Sequence, residues 1–72
     1  MNRIVVITGA SSGIGLKTGE LFKNKGDWVI NISKSSSDIG DENYLADISN
    51  EEEIARVFEE IKRDYGRIDV LI

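Results

Sequence analysis

The sequence predicts an α/β fold, in which a parallel sheet is covered by helices. Short apolar runs alternate along the chain with longer segments whose apolar residues recur at helical spacing. The first run, residues 4–7, is continuously apolar, which is typical of a parallel strand that is buried on both faces. A chain of 72 residues is long enough for one small domain, which is predicted to cover residues 1–72.

The first half of the chain is predicted to contain two strands joined by a helix. Residues 3–8 form the first strand, and a helix over residues 14–25 follows a glycine-rich turn. Gly26 is suited to the end of this helix, and residues 28–32 form the second strand. The short helical connection implies a right-handed crossover to a parallel neighbour. The apolar stripe of the helix consists of Ile14, Thr18, Leu21 and Phe22.

The second half is predicted to add a loop, two strands and a second helix. Residues 33–43 are polar and form the loop, and residues 44–46 form a short third strand. A capping box at residues 49–52, in which Ser49 provides the cap, starts the second helix. Residues 68–72 begin a fourth strand. The apolar stripe of the second helix consists of Ile54, Val57, Phe58, Ile61 and Tyr65.

The turn after the first strand has the sequence TGASSGIG at residues 8–15. Gly9 allows the chain to reverse tightly, Gly13 lets the backbone come close to a diphosphate, and Gly15 lets the helix pack on the strand. The helix start offers unpaired N–H groups and the positive end of its dipole. The strand, turn and helix predict a dinucleotide-binding site, and the alternative is a plain connection that binds nothing.

Composition and charge argue against several classes of function. The net charge is −4 and the pI is about 4.6, without a basic patch, so we expect no nucleic-acid or anionic-membrane partner. The absence of Cys and His removes disulfides, thiolate sites and the commonest metal ligand, so we expect no metal site. The apolar run near the start is too short for a signal peptide or a membrane span. These features fit a cytoplasmic protein.

Three motifs give the chain its resemblance to the N-terminal part of the short-chain dehydrogenases/reductases. They are the glycine pattern of residues 8–15, the pair Asp47 and Ile48 after the third strand, and the run YGRIDVLI at residues 65–72. In this family such a run leads directly into an Asn-Asn-Ala-Gly motif. The resemblance covers essentially the whole chain and implies a Rossmann-type parallel sheet, which is half of a doubly wound sheet with strand order 3-2-1-4 and two main helices. We therefore expect a truncated, NAD(P)-binding half-domain.

The resemblance also implies roles for residues at matching positions. Asp47 would accept a hydrogen bond from the adenine amino group, with Ile48 beside the ring. The alternative is that Asp47 is a surface carboxylate near a helix start. The serines of the turn could likewise be turn residues without a ligand. The residues implied to form the cofactor turn and to face the phosphates and the ribose are Gly9, Ser11, Ser12, Gly13, Ile14 and Gly15.

The residues after the second strand predict NADP as the cofactor and leave NAD as the second choice. The position that carries an acid in NAD-binding relatives of this fold is Ser33, followed by Lys34. A hydroxyl and an ammonium group attract a 2′-phosphate, which a carboxylate would repel. The alternatives are that Lys34 is a solvated loop charge, or that Asp38 reaches the ribose instead.

Family catalysis uses a Tyr-x-x-x-Lys pair that this chain lacks. Four residues after Tyr44 and Tyr65 stand Ile48 and Asp69, so Tyr65 is interpreted as a packing residue, and no catalytic residue is predicted. We expect the cofactor-binding part of an oxidoreductase that transfers hydride between NADP(H) and a carbonyl or alcohol substrate. The alternatives are a non-catalytic nucleotide-binding module and an interaction fragment that pairs through its fourth strand. The small core and open sheet edge also make a homo-oligomer an open possibility.

Overall fold

The computed structural model describes residues 3–10, 13–35 and 40–72, which form one four-stranded sheet and two helices. The strands are all parallel and lie in the order β3-β2-β1-β4. This confirms the predicted α/β class, the Rossmann-type sheet and the strand order 3-2-1-4. The elements in chain order are β1 (Ile4–Thr8), α1 (Gly13–Asn24), β2 (Trp28–Ser33), β3 (Glu42–Leu45), α2 (Glu51–Tyr65) and β4 (Val70–Leu71).

The two helices lie on opposite faces of the sheet, because each belongs to a different part of the core. Val57 and Ile61 of α2 are buried and pack on the sheet, which confirms the predicted stripe of this helix. Burying one such side chain contributes roughly 1.5–3 kcal/mol. Phe22 of α1 packs on the other face. The α2 face of the sheet presents Val6, Ile30 and Ile32, and the α1 face presents Val5, Ile7 and Val29.

The face that α1 turns to the sheet differs from the predicted stripe. Ile14 is 86% exposed and Leu21 is 64% exposed, so these two residues do not belong to the core. The buried residue of this helix is Gly19, and Phe22 packs beside it. The reason is close approach: residues without a Cβ let the helix backbone come near the sheet, and larger apolar residues then lie on its flanks.

The start of β3 is held to β2 by Asp41. The backbone N–H of Asp41 donates to the Val29 carbonyl at 2.8 Å, and the Val29 N–H donates back to a carboxylate oxygen of Asp41 at 2.8 Å. Lys23 of α1 also forms an ion pair with this carboxylate. As a result β3 begins at Glu42, two residues before the predicted start. The predicted loop of residues 33–43 is shorter in the structure, because Ser33 belongs to β2 and residues 42–43 belong to β3.

The N-cap of α2 is Asn50, one residue after the predicted Ser49. The Oδ1 atom of Asn50 accepts hydrogen bonds from the N–H groups of Glu52 at 3.0 Å and Glu53 at 3.2 Å. Ser49 instead donates its hydroxyl to Asp47 at 2.6 Å. Because Ser and Asn are both favourable N-cap residues, the sequence alone did not distinguish them.

A paired arginine and aspartate join the amino ends of β1 and β2. The Arg3 guanidinium donates to both carboxylate oxygens of Asp27, at 3.1 and 2.8 Å, and Asp27 is only 8% exposed. These hydrogen bonds lower the pKa of Asp27 below its ordinary value of 3.8.

In the described residues, no helix is long and apolar enough to cross a membrane.

Replacing the N-cap tests its position. We expect Asn50→Ala to lower the free energy of unfolding by about 1 kcal/mol, because two N–H groups at the start of α2 lose their acceptor. Ser49→Ala is the matched control and should cost clearly less, since Ser49 does not bond the helix start. Urea unfolding followed by circular dichroism measures both values. An equal or larger loss for Ser49→Ala would contradict the assigned cap.

Acidification tests the Arg3–Asp27 pair. The folded pKa of Asp27 is lowered, so its contribution to stability is fully present above its unfolded value and is lost as the pH falls through the folded value. We expect Asp27→Asn to lower the unfolding midpoint at pH 6 and to leave a shallower decline between pH 4 and pH 2 than in the wild type. Thermal melts across this range measure the difference. Parallel pH profiles for the two proteins would count against the pair.

Candidate functional site

The predicted site residues that the structure describes lie at or after the carboxyl ends of β1, β2 and β3, which meet at one edge of the parallel sheet. From β1 the chain continues to β2 on one side, and β4 lies on the other side. Such a reversal of strand order creates a crevice in which open α/β sheets bind ligands. Thr8 donates its N–H and its hydroxyl to the Ile72 carbonyl, at 2.9 and 3.1 Å. The end of β4 therefore lies directly beside the glycine turn.

The three glycines of the turn differ in what they require. Gly9 and Gly13 have φ angles of +79° and +60°, which other residues rarely adopt. A Cβ on Gly15 would lie 2.1 Å from the Gly9 carbonyl oxygen, so only glycine fits there. A Cβ on Gly13 would meet no protein atom within 4 Å. The turn is therefore closed where α1 packs on β1 and open at Gly13.

This geometry fits a diphosphate. The first N–H groups of α1, those of Gly13, Ile14 and Gly15, belong to a helix start, where N–H groups lack an intrahelical acceptor. No acidic residue stands in the first turn of α1 to repel an anion, and the open space at Gly13 gives one access. The Ile14 side chain points into solvent and does not obstruct the turn. The predicted phosphate and ribose residues Ser11 and Ser12 lie outside the described residues, as does Asp38.

A buried asparagine in the middle of β2 was not predicted as a site residue. Asn31 is fully buried, and its Oδ1 atom accepts the N–H of Ala10 in the glycine turn at 2.8 Å. The two hydrogens of its Nδ2 group are shared among three acceptors, the Ser33 hydroxyl, the Ser35 carbonyl and Asn43 Oδ1, at 3.1, 3.1 and 3.0 Å. A polar residue inside an otherwise apolar strand was the signal that could have revealed it.

Of the two predicted cofactor-selecting residues, the structure buries one and exposes the other. Ser33 is 8% exposed, and its hydroxyl accepts from Asn31 and donates to the Ser35 carbonyl. Lys34 is 73% exposed at the end of β2. Only the ammonium group is thus presented to solvent at this point of the edge.

Asp47 brings the predicted adenine position close to Lys34. Its Oδ1 atom accepts the hydroxyl and the N–H of Ser49, at 2.6 and 2.9 Å, while its Oδ2 atom lies 3.7 Å from the Lys34 ammonium. The Ser49 hydrogen bonds, and then Lys34, lower the pKa of Asp47 below its ordinary value. Ile48 follows with its side chain half exposed. The ionised carboxylate and the apolar side chain suit an amino-substituted aromatic ring.

The two tyrosines lie in the packing of the α2 face. Tyr65 accepts a hydrogen bond from Trp28 Nε1 at 3.3 Å, and the two ring centroids are 6.5 Å apart. Burial raises the pKa of Tyr65, and burial raises that of Tyr44 to about 12. Neither environment favours an ionised phenol.

Among the described residues, no group of His, Cys, Asp and Glu is arranged to hold a metal ion.

The chain matches known proteins over nearly its whole length. Residues 3–72 match the family model described as short chain dehydrogenase. A relative from Listeria innocua, NAD-dependent glycerol dehydrogenase, is 37% identical over an alignment that covers 97% of this chain and 31% of the relative. The chain spans about a third of the length of the curated relatives it matches.

Solved structures agree with this match. Ligand-free aldohexose dehydrogenase from Thermoplasma acidophilum has a TM-score of 0.90 and 31% identity, and the alignment covers 97% of this chain and 28% of that one. A short chain dehydrogenase from Leptospira borgpetersenii with bound NAD+ has a TM-score of 0.86 and 26% identity, covering 99% of this chain and 30% of that one.

Alanine substitutions separate the closed and open parts of the turn. We expect Gly15→Ala to cost more than about 3 kcal/mol of stability, because the new methyl group would overlap the Gly9 carbonyl. Gly13→Ala meets no protein atom and should cost only the strain of its positive φ, about 1–2 kcal/mol. Chemical unfolding of both variants gives the comparison. Equal stability of the two would be inconsistent with the close contact at Gly15.

Proposed function

Because this chain belongs to the short-chain dehydrogenase family, we propose that it is the NADP(H)-binding part of an oxidoreductase that acts on a carbonyl or alcohol substrate. Members of this family are oxidoreductases that use a nicotinamide dinucleotide. The observation that carries the proposal is the glycine turn, which is open at Gly13 and leads into a helix start without acidic residues. When bound, the dinucleotide supplies the hydride-transfer chemistry.

The proposed binding residues lie in two parts of the sheet edge, and each part would bind a different portion of the dinucleotide. The turn and the first N–H groups of α1 hold the diphosphate, with Gly15 fixing the direction of the helix. Asp47 accepts from the adenine amino group through Oδ2, because Ser49 already occupies Oδ1. Ile48 lies against the ring. Ser11 and Ser12 remain proposed contacts to the phosphates and the ribose.

The proposed preference for NADP depends on Lys34. Its exposed ammonium group stands immediately after β2, where an acid would select the 2′-hydroxyl of NAD. The buried hydroxyl of Ser33 leaves Lys34 as the proposed partner of a 2′-phosphate. An ammonium group contributes to such binding chiefly as a point charge, so its effect weakens as salt increases.

A second candidate cofactor is NAD, and a specific observation favours it. The carboxylate of Asp47 lies 3.7 Å from the Lys34 ammonium and reduces the positive potential that a 2′-phosphate would meet. The Leptospira borgpetersenii neighbour has bound NAD+, and the Listeria innocua relative is NAD-dependent. The Lys34 ammonium can nevertheless turn to an incoming dianion, since it is mostly exposed.

We assign no catalytic role to a residue of this chain. Tyr44 and Tyr65 lack the lysine of a Tyr-x-x-x-Lys pair and serve the packing around Trp28 and α2. The proposal is therefore a single NAD(P)-binding half-domain whose catalytic and substrate-binding residues would belong to a longer protein. The alternative is a nucleotide-binding module that turns over no substrate.

Removing the Lys34 charge tests the cofactor proposal. We expect Lys34→Ala to raise the Kd for NADPH about fivefold and to change the Kd for NADH by less than about twofold, because only NADPH carries the 2′-phosphate. Isothermal titration of both cofactors at equal ionic strength measures the two values. Lys62→Ala, which removes an exposed lysine from the last turn of α2, is the matched control and should change neither.

The titrations have two contrary outcomes. Tighter binding of NADH than of NADPH by the wild-type chain would refute the NADP preference and leave the second candidate. A folded chain that binds neither cofactor would refute the proposed binding function itself.

A further inference from the structure

Asn31 connects three segments that meet at the sheet edge where the cofactor is proposed to bind. It lies at the centre of β2 with no exposed surface, and its bonds reach the glycine turn at Ala10, the loop after β2 at Ser33 and Ser35, and β3 at Asn43. Both its oxygen and its amide nitrogen are used. Asn43 is also the residue that faces Asn31 in the pairing of β2 with β3, whereas Ala10 and Ser35 lie outside the strands.

The strand itself does not need a polar side chain at this position. Burying an amide is unfavourable unless every polar atom is bonded, and an apolar residue of similar shape is often at least as stabilising. Val29, Ile30 and Ile32 around it are apolar and buried. The hydrogen bonds of Asn31 therefore fix the arrangement of the segments they join more than they stabilise the fold. A buried network in which every polar atom is bonded specifies one arrangement of its members.

The segments that Asn31 holds are those that carry the proposed cofactor contacts. Ala10 lies in the turn that would receive the diphosphate, one residue after Gly9. Ser33 and Ser35 flank Lys34, which would meet the 2′-phosphate. Asn31 therefore bonds both the turn that is proposed to hold the diphosphate and the loop that carries Lys34.

We propose that Asn31 is a positioning residue that fixes the diphosphate turn and the Lys34 loop relative to each other, so that one preorganised unit receives both phosphate groups. The inference rests on the proposed function, because it concerns the same nucleotide. Asn31 does not touch the ligand. It acts by removing the freedom that the turn and the loop would otherwise lose on binding.

The test compares NADH with NADPH, which differ by the 2′-phosphate alone. Asn31→Leu is close in size and removes all four hydrogen bonds. We expect its Kd for NADH to rise at least fivefold, and its preference for NADPH over NADH to fall by at least half, because the turn and the loop are no longer aligned. Isothermal titration of the chain with each nucleotide gives the four Kd values.

Amide hydrogen exchange, measured by NMR without nucleotide, provides a readout that does not depend on binding. Exchange at the Ala10 N–H should become at least tenfold faster in Asn31→Leu. The Trp28 N–H, which donates to the Arg3 carbonyl at the opposite edge of the sheet, should change little. Ile30→Val is the matched control, because it alters a buried neighbour on the other face and should leave both nucleotide affinities within twofold.

The outcomes separate the inference from the function on which it rests. If the wild type binds NADH and NADPH, and Asn31→Leu binds each of them as tightly as the wild type does, the positioning role is wrong and the proposed function stands. If the wild-type chain binds neither nucleotide, both fail. Should Asn31→Leu not fold, Asn31→Thr replaces it, because threonine suits a strand and one hydroxyl cannot replace four bonds.

Discussion

The close contact between the start of α1 and the end of β1 is the constraint on which the rest of the site depends. At Gly15 the helix lies so near the Gly9 carbonyl that a single methyl group would overlap it. This contact sets the direction of α1, so the positive end of its dipole lies above the carboxyl edge of the sheet. It also explains why α1 buries Gly19 and leaves Ile14 and Leu21 on its flanks.

A second level of organisation lies within the sheet. Parallel strands bring their carboxyl ends together without regard to sequence, but they do not fix the loops that follow. Here Asn31 holds the loop after β2 and the turn after β1, and Ser49 holds the carboxylate of Asp47. These hydrogen bonds therefore fix the segments that line the edge, whereas Lys34 remains exposed.

Much of the fold followed from the sequence because its signals were local and periodic. The strand order came from the family resemblance, and the α2 stripe of Val57 and Ile61 came from helical spacing. The cap of α2 was misplaced by one residue because Ser49 and Asn50 are both suitable. The face of α1 was misjudged because periodicity does not reveal how closely a helix approaches its sheet.

The site was predicted less completely for a different physical reason. The glycine turn has a local signature, since its backbone angles and close contact require particular residues. The burial of Ser33 and the ion pair between Lys34 and Asp47 arise from contacts between separate segments. Asn31 lies between those segments, and only the folded chain brings its four partners within reach.

The packing of Trp28 against Tyr65 has an optical consequence. Trp28 is the sole tryptophan, and it lies at the amino end of β2, while the candidate site lies at the carboxyl end, roughly 16 Å away along an extended strand. Its indole emission, with Tyr65 6.5 Å away as an energy donor, thus reports the integrity of the α2 side of the core. Intrinsic fluorescence is therefore a probe of denaturation in this protein.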